Sequence, residues 1–98
     1  MLDDVREKIK KMQGINHAEF DDLINQFYES AKLDLAAVGI ADSILSNPNS
    51  LVITAIETYI LSLIDVDNAE LYQNSYSLQK DSLRHNSFYT DGPEKEDE

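Results

Sequence analysis

Ionisable side chains are plentiful in this 98-residue chain, but few are spaced for chemistry. The nearest approach is Asp65-Val66-Asp67-Asn68, which opens like a calcium loop with oxygen ligands at alternate positions. Such a loop needs glycine at its sharp turn and a bidentate acid at its end. Those two positions hold Glu70 and Tyr76, so the pattern fails at both. His17 and His85 each lack the partner one helical turn away that a zinc-binding helix supplies, and both are expected to face solvent. The absence of cysteine removes thiolate metal sites, thiol nucleophiles and disulfides. Asp3-Asp4 and Asp21-Asp22 stand at predicted helix starts, where carboxylates offset the helix dipole, and nothing marks them for acid–base work. The three glycines, Gly14, Gly39 and Gly92, each fall at a predicted break, so no phosphate-cradling loop is formed. The expected class is non-enzymatic, with no catalytic, metal or cofactor-binding residues. Lys8, Lys10 and Lys11 form a basic cluster open to an acidic partner or phosphate; a solvated face, or pairing with a neighbouring copy of the chain, is the simpler account.

The elements that would position any binding residue are helices. Leu2, Val5, Ile9 and Met12 repeat at spacings of three and four, predicting a first helix over 3–13 with acids leading and bases following, and Gly14 ending it. Asn16 and Glu19 form a plausible capping box for a second helix. That helix carries Phe20, Leu23, Ile24, Phe27, Tyr28, Ala31, Leu35 and Val38 on one arc, and Gly39 stops it. Leu33 falls on its polar side and Asp34 inside its apolar arc, which makes both candidates for contacts between subunits, with a frayed last turn the plain alternative. Periodicity disappears from Ile40 to Ser50, predicting a loop or short hairpin in which Ile44 and Leu45 fold back over the core.

The third helix, over 48–64, contains the most apolar run in the chain. Ten of the fourteen residues from Leu51 to Ile64 are apolar. Ala55, Tyr59, Val52, Leu63, Ile56, Ile60, Ile53 and Ile64 fill an arc wider than the usual core-facing stripe. Leu51 and Leu61 interrupt the remaining side, which also holds Thr54, Glu57, Thr58 and Ser62. The run is too short to span a bilayer, which takes about twenty apolar residues. A fourth helix over 68–84, with Asp67 and Glu70 as its cap signal, has one seam of Ala69, Tyr72, Tyr76 and Leu83 and a second of Leu71 and Leu78. Two seams imply two neighbours. Leu33, Asp34, Leu51, Leu61, Leu71 and Leu78 are therefore the subunit-interface candidates. Leu61→Asp is expected to leave the monomer folded and abolish assembly.

After His85 the pattern ends. Residues 91–98 hold five acids, one base, a glycine and a proline, too little apolar surface to offset ordering entropy. Deleting them is expected to leave thermal stability nearly unchanged. Phe88 and Tyr89, at the root of this tail, are docking-anchor candidates, with packing onto their own helices the plain alternative. The expected organisation is an all-α domain over 1–89, a small four-helix bundle, followed by an extended acidic tail over 90–98. Met1 is followed at once by charged residues with no apolar segment behind, so no secretory signal is visible and use in the cytoplasm is expected. A formal net charge of −11 opposes binding to phosphate backbones and excludes sequence-specific DNA recognition as the expected activity.

The order of these blocks resembles the small head-tail connector (adaptor) proteins of bacteriophages. The likeness is carried by Phe20-Asp21-Asp22-Leu23-Ile24, by the run from Ala31 to Ile40, by Leu51 to Ile60, and by Ala69-Glu70-Leu71-Tyr72-Gln73 with Ser75-Tyr76 and Leu78-Gln79-Lys80. It covers roughly residues 18–89. Asp65 to Asn68 lacks the glycine often seen between the last two helices, and the acidic tail is particular to this chain. The resemblance implies a virion protein assembled in the host cytoplasm. Its identical subunits, about a dozen, would form a ring between the portal protein and the next tail-completion or stopper protein. DNA would pass through that ring without sequence-specific binding, no membrane would be involved, and Phe88, Tyr89 and the tail would be the portal-side candidates. An acidic channel wall would repel DNA and let it slide. The alternative is a small acidic helical adaptor or regulator that binds a basic host protein as a monomer or dimer.

Overall fold

The computed structural model describes residues 2–16 and 18–91. Six helices are formed among them: α1 (Leu2–Gln13), α2 (Asp21–Ala37), α3 (Asp42–Ser46), α4 (Ser50–Ile64), α5 (Ala69–Arg84) and α6 (Ser87–Asp91). Single 3-10 turns, Ala18–Phe20 and Val66–Asn68, lead into α2 and α5. No strand occurs in the described residues. The four long helices match the sequence periodicity, while the expected loop or hairpin after the second is instead the short helix α3. His17 and the acidic residues 92–98 lie outside the described residues.

Both glycine stops act through the left-handed conformation. Gly39 has φ +101°, its N–H donates to Ala36 C=O at 3.0 Å, and Ile40 N–H donates to Leu35 C=O at 3.1 Å. This is the paired closure of a Schellman turn, with buried Leu35 and Ile40 side chains at its two ends. Gly14, φ +67°, ends α1 in the same way: its N–H donates to Lys11 C=O and Ile15 N–H to Lys10 C=O.

Helix starts depart from the expected capping boxes. A 3-10 turn replaces the Asn16 cap, so α2 begins at Asp21 with Phe20 at the N-cap and no side-chain cap bond. Ahead of α5 the capping acid is Asp65, two residues earlier than Asp67; its carboxylate accepts from Asn68 N–H at 3.3 Å and opens the 3-10 turn. Asn49 caps α4, accepting from Val52 N–H at 3.2 Å. The Asp65-Val66-Asp67-Asn68 run is thus a turn device, and Asp65 also accepts from the Gln13 side chain at 3.2 Å.

The core is organised around α4, which packs against α5 along one side and against α2 and α1 on others. Val52, Ile56 and Ile60 of α4 meet Ile24 and Leu35 of α2 and Ile9 of α1, all fully buried. Ile44 and Leu45 of α3 fold onto this core, as expected for apolar residues between two amphipathic helices.

The nominally polar side of α4 is where expectation and structure part. Thr58 and Ser62 are buried on it, their hydroxyls donating to the helix's own carbonyls at Thr54 (2.8 Å) and Tyr59 (2.6 Å). Satisfied in this way, small hydroxyl residues cost little to bury, and α5 covers that side. Leu61 accordingly has 4% exposure and belongs to the core of its own protomer, which corrects its assignment to a subunit interface. Its substitution by aspartate now has the opposite expected outcome. Leu61→Asp places an unpaired carboxylate in a closed apolar site and is expected to lower unfolding free energy by at least about 3 kcal/mol, read as a lower urea midpoint. Gly39→Ala is expected to cost roughly 1–2 kcal/mol through backbone strain alone, because the nearest atom to an added Cβ, Thr90 Cγ2, lies at 4.0 Å.

Candidate functional site

Exposed leucines mark the surface that the protomer leaves uncovered. Tyr76 and Leu83 turn the inner seam of α5 toward α4. Leu78 stands two residues from Tyr76, a rotation of about 200°, and is 73% exposed; Leu71, two turns earlier on the same stripe, is 63% exposed. Leu51 enters the first turn of α4 on the side away from the core and is 62% exposed. Between Leu51 and Thr54 of α4 and Leu78, Gln79, Ser82 and Leu83 of α5 runs a groove of about 340 Å³. No charged side chain lines it. The Gln79 side-chain oxygen is buried with no hydrogen-bond partner among the described residues. An amide oxygen removed from water without a donor costs about 1–3 kcal/mol, so a donor brought to it would be stabilising.

Leu33 of α2 is 72% exposed, with Ala36 and Ala37 exposed one turn further on, and lines a groove of about 360 Å³ with Glu29, Lys32 and Ala36 of α2 and Asp42, Leu45 and Ser46 of α3. Its neighbour Asp34 is used differently from expectation. Tyr76 Oη donates to the Asp34 carboxylate at 2.6 Å and Lys80 Nζ at 3.1 Å, tying α2 to α5 within one protomer. Lys80 also sits over the Tyr76 ring, 5.1 Å from its centre, and Tyr59 meets that ring edge-on at 5.2 Å. An acid inside the apolar arc of α2 is thereby explained by two donors of the same chain, while its side chain stays partly exposed.

Tyr89 too is bonded within its own chain. Carried on α6, it is buried, its hydroxyl accepts from Asn49 Nδ2 at 2.9 Å and its carbonyl accepts from Ala41 N–H at 2.8 Å. Residue 89 therefore latches α6 onto the α2–α3–α4 junction and is unavailable as a docking anchor. Phe88, edge-on to it at 5.1 Å, remains about half exposed.

The basic cluster of α1 is also largely occupied at home. Lys10 pairs with Asp21 at 2.7 Å and Lys8 with Glu57 at 3.2 Å, while Lys11 stays exposed. Arg6 adds a hydrogen bond to Asn25 at 3.0 Å. These contacts pin α1 across α2 and α4, so two of the three lysines serve the fold. His85 is exposed at the end of α5, as expected.

The sequence reading placed Leu51, Leu71 and Leu78 outside the core but missed the groove, because Thr54, Gln79 and Ser82 carry no periodic signal of their own. No described helix is long and apolar enough to cross a membrane. Compared with known proteins, the chain matches no family model, no curated protein and no solved structure.

The Asp34 clip has a pH signature. Burial pushes the Asp34 carboxyl up, but the Tyr76 and Lys80 hydrogen bonds and the Lys80 charge outweigh it and hold the group below its ordinary value. A carboxyl lowered in the folded state contributes stability above its unfolded value, about 4, and loses it as the pH falls through the folded value. Burial and the Asp34 bond push the Tyr76 hydroxyl well above its usual range, so it stays a donor throughout. Urea midpoints of the native chain and Asp34→Asn are expected to differ by a constant amount above about pH 5 and to converge below about pH 4. A gap independent of pH would show that the Asp34 charge does not hold α2 to α5.

Proposed function

We propose that the protein is a structural virion subunit, a head-tail connector or adaptor that assembles as a ring beneath the portal, joins capsid to tail and forms a conduit for DNA. The observation that carries the reading is the outer apolar stripe of Leu51, Leu71 and Leu78, which the protomer leaves bare after its own core is complete. Three large leucines on one side of a subunit of this size favour burial against another protein chain. A heterologous contact repeated around an axis closes into a ring. The resemblance in block order from Phe20 to Lys80 supplies the phage setting, and with it the portal and the next tail-completion or stopper protein as partners. In this reading the four long helices form the bundle-like connector body, and the excess of carboxylates keeps a DNA conduit non-adhesive. Phe88, still half exposed beside its latched neighbour, is the portal-side candidate that survives.

Native mass measurement and cryo-EM of the chain, alone and mixed with a portal protein, test this directly. Ring-sized species are expected, and Leu78→Asp, at an exposed position, is expected to leave the helical signal and urea midpoint unchanged while abolishing them. A chain that remains monomeric in both mixtures and instead captures a basic protein supports the acidic-adaptor alternative and overturns the connector reading.

A further inference from the structure

We propose that α3 and α6 form a single clasp over the end of α2 and the start of α4, and that these two short helices open and close together while the four long helices stay packed. The clasp lies within one protomer and is independent of assembly.

Neither short helix has the means to stand alone. Each has five residues, and isolated helices shorter than about 12 residues are marginal in water. Ala41, the N-cap of α3, makes no side-chain cap bond, so the start of α3 depends on its backbone. The Ala41 carbonyl accepts from Ile44 N–H at 3.0 Å and Leu45 N–H at 3.1 Å, while its N–H donates to the Tyr89 carbonyl at 2.8 Å. The first turn of α3 is thereby fastened to the middle of α6.

Tyr89 makes its second tie at the tip of its ring. Val52 N–H can only donate, so the Asn49 amide turns Oδ1 toward it, at 3.2 Å, and Nδ2 toward Tyr89 Oη, at 2.9 Å. The cap of α4 and the seat of α6 share that one amide. The N–H groups of Phe88, Tyr89 and Thr90 return to Asn86, immediately before the helix. Among the described residues, α6 is therefore hydrogen-bonded to the rest of the fold through Tyr89.

When Tyr89 leaves its seat, Ala41 loses its acceptor and the first turn of α3 loses its anchor. The long helices α1, α2 and α5 pack on α4 directly, so they keep one another in place. Two short elements that fasten each other then open as one unit, at lower free energy than global unfolding.

Native-state hydrogen exchange, followed amide by amide by NMR, tests the clasp. Ile44 and Leu45 are the deciding probes, because their amides bond to Ala41 and not to α6. In the native chain they are expected to share one opening constant with the amides of Tyr89 and Thr90, larger than that of Ile56 and Ile60 in α4. Tyr89→Phe, which removes one hydroxyl, is expected to raise the shared constant roughly three- to tenfold at all four positions. Ile9→Val, in α1, is expected to speed exchange at Ile56 and Ile60 and leave the four clasp amides unchanged. Ile44 and Leu45 unmoved by Tyr89→Phe would show that α3 does not depend on α6, and would overturn the clasp. Clasp amides that exchange no faster than Ile56 and Ile60 would overturn it too, by making α3 and α6 part of the global transition.

Discussion

Burial of α4 on nearly all sides is the constraint from which the rest of the structure follows. A helix this apolar cannot lie on the surface of a small domain, so α1, α2 and α5 arrange themselves around it, and α3 closes one end. What lets most of α4 be enclosed is the behaviour of Thr58 and Ser62, whose hydroxyls return to the helix's own carbonyls and so enter the interior without unpaired donors, while Leu51, Thr54 and Leu63 stay exposed. Once α5 covers that side, its outer seam has nothing left to cover. The bare leucines on α5 are thus a geometric consequence of spending its inner seam on α4.

Polar contacts in this protein act at the seams between helices and carry little of the core. Asp34, Tyr76 and Lys80 fix the crossing of α2 and α5; Lys8, Lys10 and Arg6 fix α1; Asn49 joins the start of α4 to Tyr89 of α6. Partly exposed ion pairs are worth little individually, but each of these also selects one register between elements that apolar packing alone would allow to slide. Tyr76 combines both roles, being a buried aromatic of the α5 inner seam and a donor to the acid of α2.

Much of the fold was legible because the four long helices announce themselves by spacing, and because Gly14 and Gly39 sit where only a residue tolerant of positive φ closes a helix cheaply. Helix starts were less legible, since the 3-10 turns before α2 and α5 displace the caps that Asn16 and Asp67 suggested. The brief α3 lacks the length for a periodic signal. On the candidate surface, Leu51, Leu71 and Leu78 were readable as residues off the main arcs, whereas Leu61 was misassigned. Its wheel position next to Thr58 and Ser62 looked solvent-facing because hydroxyls were counted as wanting water. The internal bonds of Asp34 and Tyr89 were not legible for a related reason: their partners Tyr76, Lys80 and Asn49 lie 40 or more residues away in sequence, beyond any local pattern.

Charge and apolar surface pull in opposite directions in any assembly of this chain. Copies bearing a net charge of −11 repel one another, and the repulsion weakens with salt, whereas leucine burial does not. Association through the neutral groove, if a partner used it, would desolvate no charged side chain of its lining, since Leu51, Thr54, Leu78, Gln79, Ser82 and Leu83 carry no charge. Any assembly through the leucine stripe would have to gain enough apolar burial to offset that repulsion, and would do so more readily in salt or on a template.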